Sequence, residues 1–164
     1  MKVGVLSDTH IPKAYFPPQI FEFLKKRNVQ YIIHAGDITS KEFLEKLEEV
    51  APVIAVKGNM DRIDLPEEEK IEIGNFSILI LHGHQFLSLN LDNLTYKALE
   101  EEVDILVFGH THRPYYNVVR SYGREIILLN PGSPTLPRMS EPTFAILEVS
   151  NEDIDVHFYN VFSL

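Results

Sequence analysis

The strongest constraint on what this chain can fold into is an alternation. Val3–Ser7, Tyr31–Ala35 and Val53–Lys57 are short runs rich in β-branched residues and bounded by turn residues, as buried strands are. Between them lie helical patterns. Pro17 and Pro18 suit a first turn, and Ile20, Phe23 and Leu24 repeat at helical spacing up to Asn28. Thr39-x-x-Glu42 reads as a capping box, with Phe43, Leu44, Leu47 and Val50 as one apolar face and Pro52 as the stop. Residues 1–57 therefore read β-α-β-α-β. The rest is richer in strand: Lys70–Ile73 and Phe76–Leu81 around Gly74-Asn75, Asp104–Phe108, Tyr115–Arg120 and Glu125–Leu129 around Ser121-Tyr122-Gly123, then Thr143–Val149 and Ile154–Val161. One further helix is expected from Asp92 to Val103. The class is α/β with much antiparallel sheet, and 164 residues suit a single domain, 1–164.

Composition excludes several classes of function. With 45% hydrophobic and 24% charged residues the chain reads as a globule, and it has no cysteine, which removes disulfides, thiolate catalysis and Cys-type zinc sites. A net charge of -9 opposes non-specific nucleic-acid binding and attachment to anionic lipid. No apolar run reaches the ~18 residues of a membrane helix, and MKVGVLSDTH lacks the features of a signal peptide. A cytoplasmic location and no membrane association are the expectation.

Five apolar runs end in residues that can bind a metal. VGVLS is followed by Asp8 and His10, YIIHA by Asp37, VIAVK by Asn59, SILIL by His82, and DILVF by His110 and His112. In open α/β sheets ligands bind beyond the carboxyl ends of the strands, so loops distant in sequence can converge there. Glycine immediately precedes three of these ligands, at Gly36-Asp37, Gly58-Asn59 and Gly109-His110. Carboxylate, imidazole and amide oxygen suit a divalent ion of intermediate hardness, and seven candidates exceed what one ion needs. Two ions are the economical answer, and a pair about 3.5–4 Å apart is the machinery of in-line displacement at phosphorus.

These blocks resemble the signature of the calcineurin-like metallophosphoesterases, in particular their small archaeal and bacterial phosphodiesterase branch. D-x-H, GD, GN-x-D/E, H and GH-x-H stand here in order as Asp8-Thr9-His10, Gly36-Asp37, Gly58-Asn59-Met60-Asp61, His82 and Gly109-His110-Thr111-His112, and Asn130-Pro131-Gly132-Ser133 is also similar. The resemblance implies two packed mixed β-sheets flanked by helices, a four-layer αββα sandwich. It implies one ion among Asp8, His10, Asp37 and His112 and another among Asp37, Asn59, His82 and His110, with Asp37 as the bridge. It further implies a bridging water or hydroxide as nucleophile, Asn59 touching the substrate phosphate, and a small phosphodiester substrate. Manganese is the favoured ion, with nickel, cobalt, iron and zinc as alternatives.

One position departs from the commoner pattern: where GNH-D/E supplies a histidine near the leaving group, this chain has Met60. A thioether donates no proton, and a positioned general acid contributes about 10²–10⁴-fold. His84 is the candidate to replace that acid or to orient a ligand, and Arg138 the candidate to bind substrate phosphate as a planar fork, against the alternative of an exposed arginine. His34 reads as a satisfied core histidine, nothing ties His157 to the site, and Tyr115 and Tyr116 offer either a stacking surface or strand packing. The chain also resembles the small subunit of retromer at His10-Ile11-Pro12 and His82-Gly83-His84-Gln85, which implies a scaffold for a protein partner as the alternative function. Exposed apolar surface is expected around Tyr15-Phe16 and Phe86-Leu87, where partner contacts or homo-oligomer formation would occur.

Overall fold

A computed structural model describes residues 1–164. Ten strands form two five-stranded mixed sheets. The first contains β1 (Lys2–Leu6), β2 (Tyr31–His34), β3 (Val53–Ala55), β9 (Thr143–Val149) and β10 (Ile154–Asn160), in the order β10-β9-β1-β2-β3. The second contains β4 (Glu68–Ile73), β5 (Phe76–Leu81), β6 (Ile105–Val107), β7 (Pro114–Ser121) and β8 (Arg124–Pro131), in the order β4-β5-β6-β8-β7. Helices α1 (Pro18–Lys26) and α2 (Lys41–Glu48) cover the first sheet and α3 (Leu91–Glu100) the second, giving the αββα sandwich. The chain ends in a short 3-10 turn, Val161–Ser163.

Three apolar layers hold this together. Val3, Val5, Ile33, Ala145 and Leu147 of the first sheet meet Ile78, Ile80, Ile105, Val107 and Leu129 of the second, and all are fully buried. On the outer face of the first sheet, Leu6, Ile32 and Phe144 pack under Ile20 and Leu24 of α1 and Phe43 and Leu47 of α2. On the outer face of the second, Leu79, Leu106 and Leu128 lie under Leu94 and Ala98 of α3. The central strands are apolar on both faces because both faces are covered.

The pairing directions place the site. β1, β2 and β3 run parallel, as do β5, β6 and β8, while β4, β7, β9 and β10 pair antiparallel with their neighbours. The five runs that end in ligand residues are β1, β2, β3, β5 and β6, all within the two parallel blocks. Their carboxyl ends meet along one rim of the sandwich.

Two sequence expectations are corrected here. The N-cap of α2 is Ser40, whose Oγ accepts from Phe43 N–H at 3.1 Å, and not Thr39. Thr39 is already committed: its N–H donates to Asp61 Oδ1 at 2.8 Å, its hydroxyl donates to the Ile11 carbonyl at 2.7 Å, and its φ is 60°. Phe16 is not surface but buried, its ring 4.9 Å from Phe21 and 4.6 Å from Phe43, so the exposed patch there reduces to Tyr15. At the second patch Leu87 is fully exposed and Phe86 only partly so.

Phe144 is fully buried and central to the outer layer of the first sheet. Phe144→Ala should lower unfolding free energy by about 3–5 kcal/mol with little change in the denaturant slope, as read by equilibrium urea denaturation.

Candidate metal centre

The backbone at the rim is unusual before any side chain is considered. Asp8, His10, Asp37, His110 and His112 all have left-handed φ, between 49° and 73°. Each such residue costs of order 1–2 kcal/mol, and strain of this kind collects where side chains must be aimed at one point. Close approach of the loops does the rest. A Cβ on Gly58 would lie 2.1 Å from Asp37 Oδ1, and one on Gly109 would lie 2.0 Å from Ser7 Oγ and 2.7 Å from Asp8 Oδ2. The glycines ahead of the ligands are thus required sterically.

Five of the seven candidate ligands form a tight, buried cluster. Asp8 Oδ1 lies 3.4 Å from His112 Nε2, 3.7 Å from His82 Nε2 and 3.9 Å from His10 Nε2. Asp37 Oδ2 lies 3.2 Å from His82 Nε2 and 3.5 Å from His10 Nε2. Two groups have metal-binding compactness, Asp8 with His10 and His112, and Asp8 with Asp37 and His82. Asn59, His110 and Arg138 line the same cleft, of about 500 Å³, together with Lys13, Met60 and Arg62. His84 lies beside the cluster, its ring centroid 5.5 Å from that of His82, with Nε2 facing Glu67 Oε2 at 3.7 Å, and it does not line the cleft. His157 pairs with Glu148, 3.6 Å away, in the terminal hairpin.

Tautomers explain why the cluster needs a cation. His82 Nδ1 donates to the Ala35 carbonyl at 2.8 Å and His112 Nδ1 to the Leu136 carbonyl at 2.6 Å, so each Nε2 is left with a lone pair. Those nitrogens face carboxylate oxygens. Asp8 Oδ1, His10 Nε2 and His82 Nε2 are buried with no hydrogen-bond partner, which is costly unless positive charge sits between them. The donor set therefore fits a divalent metal, and the backbone carbonyls behind His82 and His112 are the outer partners that metal-binding histidines use. Without a cation, charge balance falls on protons. Burial pushes Asp8 up to about 6, despite the opposing pull of His82. For Asp37, burial is outweighed by the neighbouring His82, the Met60 N–H and His10, which hold it down at about 2. His82 moves upward, because Asp37 and Asp8 outweigh its burial. Burial lowers His10 and His110, and takes His112 to about 4.

Several positioning residues were not singled out from the sequence. Asp61 is buried and accepts from three backbone N–H groups, Asp37 at 2.9 Å, Thr39 at 2.8 Å and Gly58 at 2.8 Å, tying the GD and GN loops together. Its place at the end of the GN-x-D/E block was the available signal. Ser7 donates to Asp8 Oδ2 at 2.7 Å, and Ser133 donates to the Asp8 carbonyl at 2.8 Å. Asn130 donates from Nδ2 to the Gly109 carbonyl and to Thr111 Oγ1, both at 3.0 Å, which fixes the GH-x-H loop. His34 is the satisfied core histidine expected: Gly36 N–H donates to its Nδ1 at 3.1 Å, so its Nε2–H donates to Thr9 Oγ1 at 3.0 Å.

Comparison with known proteins fits this geometry. Residues 1–152 match the calcineurin-like phosphoesterase superfamily domain. The chain belongs to that family. A protein of Methanothermobacter thermautotrophicus named "Probable metallophosphoesterase" is 40% identical over 160 residues, covering 94% of this chain and 90% of its own. A single-residue variant of Vps29 from Entamoeba histolytica superposes with a TM-score of 0.84 at 32% identity, covering 98% of this chain and 92% of that one. The wild-type Vps29 of that organism, complexed with Zn²⁺, gives 0.81 at 29% identity, covering 98% and 99%. A structure described as a novel archaeal phosphodiesterase shares the fold, with a TM-score of 0.73 at 24% identity over 97% and 100% of the two chains.

Two outcomes test this geometry. Asp61→Ala should weaken metal binding about 10–100-fold, the usual effect of losing an outer partner, in a calorimetric manganese titration, although Asp61 is not itself a proposed ligand. His34 supplies a pH test. Burial holds its native pKa down at about 3 against the ordinary 6.5, so as pH falls from 6.5 toward 3 the unfolded state takes up a proton that the native state refuses, and stability declines. In His34→Gln, which keeps a donor and an acceptor, unfolding free energy should fall less steeply with pH across that window than in the wild type.

Proposed function

We propose that this chain is a two-metal phosphodiesterase working as a single domain, residues 1–164, in the cytoplasm. The observation that carries the reading is the buried meeting of Asp8 and Asp37 with the Nε2 atoms of His10 and His82, and of Asp8 with that of His112. Asp8, His10, Asp37 and His112 would hold one ion and Asp37, Asn59, His82 and His110 the other, with manganese the favoured metal. Asp37 suits the shared position: its Oδ2 lies between His10 and His82, one from each set, while Oδ1 accepts the Met60 N–H at 2.9 Å, which fixes its rotation. When bound, a pair of divalent cations supplies Lewis-acid charge at phosphoryl oxygens and lowers the pKa of water.

The protein's own groups then have distinct tasks. Asn59, at the exposed end of the GN turn, offers an amide to a phosphoryl oxygen, and Arg138, which lines the same cleft, offers a second donor. Ser7, Ser133 and Asn130 hold the ligand loops so that little reorganisation accompanies the reaction. Zinc in the Entamoeba Vps29 and the activity stated for the archaeal phosphodiesterase support metal binding and diester hydrolysis as properties of this fold.

The second reading, a scaffold for a protein partner, is favoured by the 0.84 TM-score with Vps29 and by fully exposed Leu87. Retention of Asp37 and Asn59 favours the enzyme.

Hydrolysis of bis(p-nitrophenyl) phosphate with Mn, Ni, Co, Fe and Zn supplied separately decides between the two: turnover with at least one metal is expected. A stable captured partner together with bound metal and no turnover would establish the scaffold instead. Asp37→Asn keeps the shape and removes the charge, and kcat/KM should drop by more than the ~10–100-fold that an outer partner costs; retention of full activity would remove Asp37 from the shared position.

A further inference from the structure

The protein is acidic overall, at -9, yet apart from the candidate ligands every charged side chain lining the cleft is a cation: Lys13, Arg62 and Arg138. All three are exposed. None is engaged in an ion pair, whereas Arg120 and Arg124 elsewhere on the surface are paired with Glu125 and Asp104. A simple phosphodiester carries one negative charge, which bound cations, Asn59 and Arg138 would already address. Lys13 and Arg62, unpaired beside them, call for more anion than that.

The leaving-group side points the same way. The GN block presents Met60, 60% exposed in the cleft, where a proton donor would assist departure of an alkoxide. His84, whose Nε2 faces Glu67, is not among the residues lining the cleft. A phosphate leaving group departs as a stable anion and needs positive charge around it in place of a proton.

We propose that the cleft selects disubstituted pyrophosphates, in which the phosphorus under attack is disubstituted as in a diester and the leaving group is itself a phosphomonoester. This inference rests on the hydrolase reading above and names its substrate class. A water oxygen forms the new bond to phosphorus and the bridging P–O bond breaks. The electron pair of that bond stays with the departing phosphomonoester, which leaves as a dianion beside Lys13, Arg62 and Arg138. Both protons of the water pass to solvent, so one disubstituted pyrophosphate and one water give two phosphomonoester dianions and two protons.

The test has a kinetic arm and a binding arm on manganese-loaded protein. P1,P2-di(adenosine-5′) pyrophosphate should be cleaved with kcat/KM at least about 10²-fold above that for the alkyl diester thymidylyl-thymidine, the lower end of what a general acid is worth. By calorimetry, Lys13→Ala/Arg62→Ala should lose at least about tenfold in affinity for methylenediphosphonate and less than about twofold for dimethyl phosphate, with a shallower salt dependence than the wild type. Equal losses for both probes, or no loss, overturns the inference. So does a pyrophosphate cleaved no faster than the alkyl diester while bis(p-nitrophenyl) phosphate is turned over, an outcome that leaves the phosphodiesterase intact. Failure to turn over any of the three substrates would sink the hydrolase reading and this inference with it.

Discussion

Asp8 Oδ1 is buried, has no hydrogen-bond partner, and faces the Nε2 atoms of three histidines at 3.4 to 3.9 Å. Acceptors do not gather in this way unless positive charge holds them, because each has lost its water and none has gained a donor. The carbonyls of Ala35 and Leu136 take the Nδ1 hydrogens of His82 and His112 and so keep the opposing lone pairs aimed inward. Everything else at the rim follows from maintaining that crowd: left-handed backbone at five ligands, glycines where loops touch, and Asp61 clamping three amides.

The sandwich makes such an arrangement sustainable. Three apolar layers, one between the sheets and one under each helical face, fix the ends of β1, β2, β3, β5 and β6 before the loops begin. Strain of order 1–2 kcal/mol at each of five left-handed residues is small against burial of the many large aliphatic side chains in those layers, each contributing about 1.5–3 kcal/mol. A rigid frame with loop-borne ligands also separates stability from chemistry. Cleft residues such as Met60 and Arg62 are exposed and can vary without disturbing the core, so selectivity for the leaving group can change while the ligand set stays.

Much of this was legible in the sequence because each feature is local. β-branched runs mark the strands, and an apolar run ending in glycine plus a ligand marks the loop that follows, so the fold class and the seven candidate ligands were available from the residues and the family resemblance. What stayed hidden depends on contacts between distant segments. Thr39 has the chemistry of an N-cap, but Asp61 and the Ile11 carbonyl claim it, and Ser40 takes the cap. Phe16 follows exposed Tyr15 and reads as surface until Phe21 and Phe43 close over it. The task of Asn130 arises only when β8 is laid beside β6, which brings it against the Gly109 carbonyl, and that of Ser133 only when the two sheets pack and bring it against the Asp8 carbonyl. Likewise, no spacing rule places Lys13, Arg62 and Arg138 around one cleft.

The central claim is that these loops clasp two cations sharing a carboxylate. Anomalous diffraction from crystals grown with manganese tests it most directly. The account predicts two peaks about 3.5–4 Å apart, with Asp37 oxygen in reach of both and the Nε2 atoms of His10, His82 and His112 turned toward them. A single peak, or none with those nitrogens turned to solvent, would contradict it.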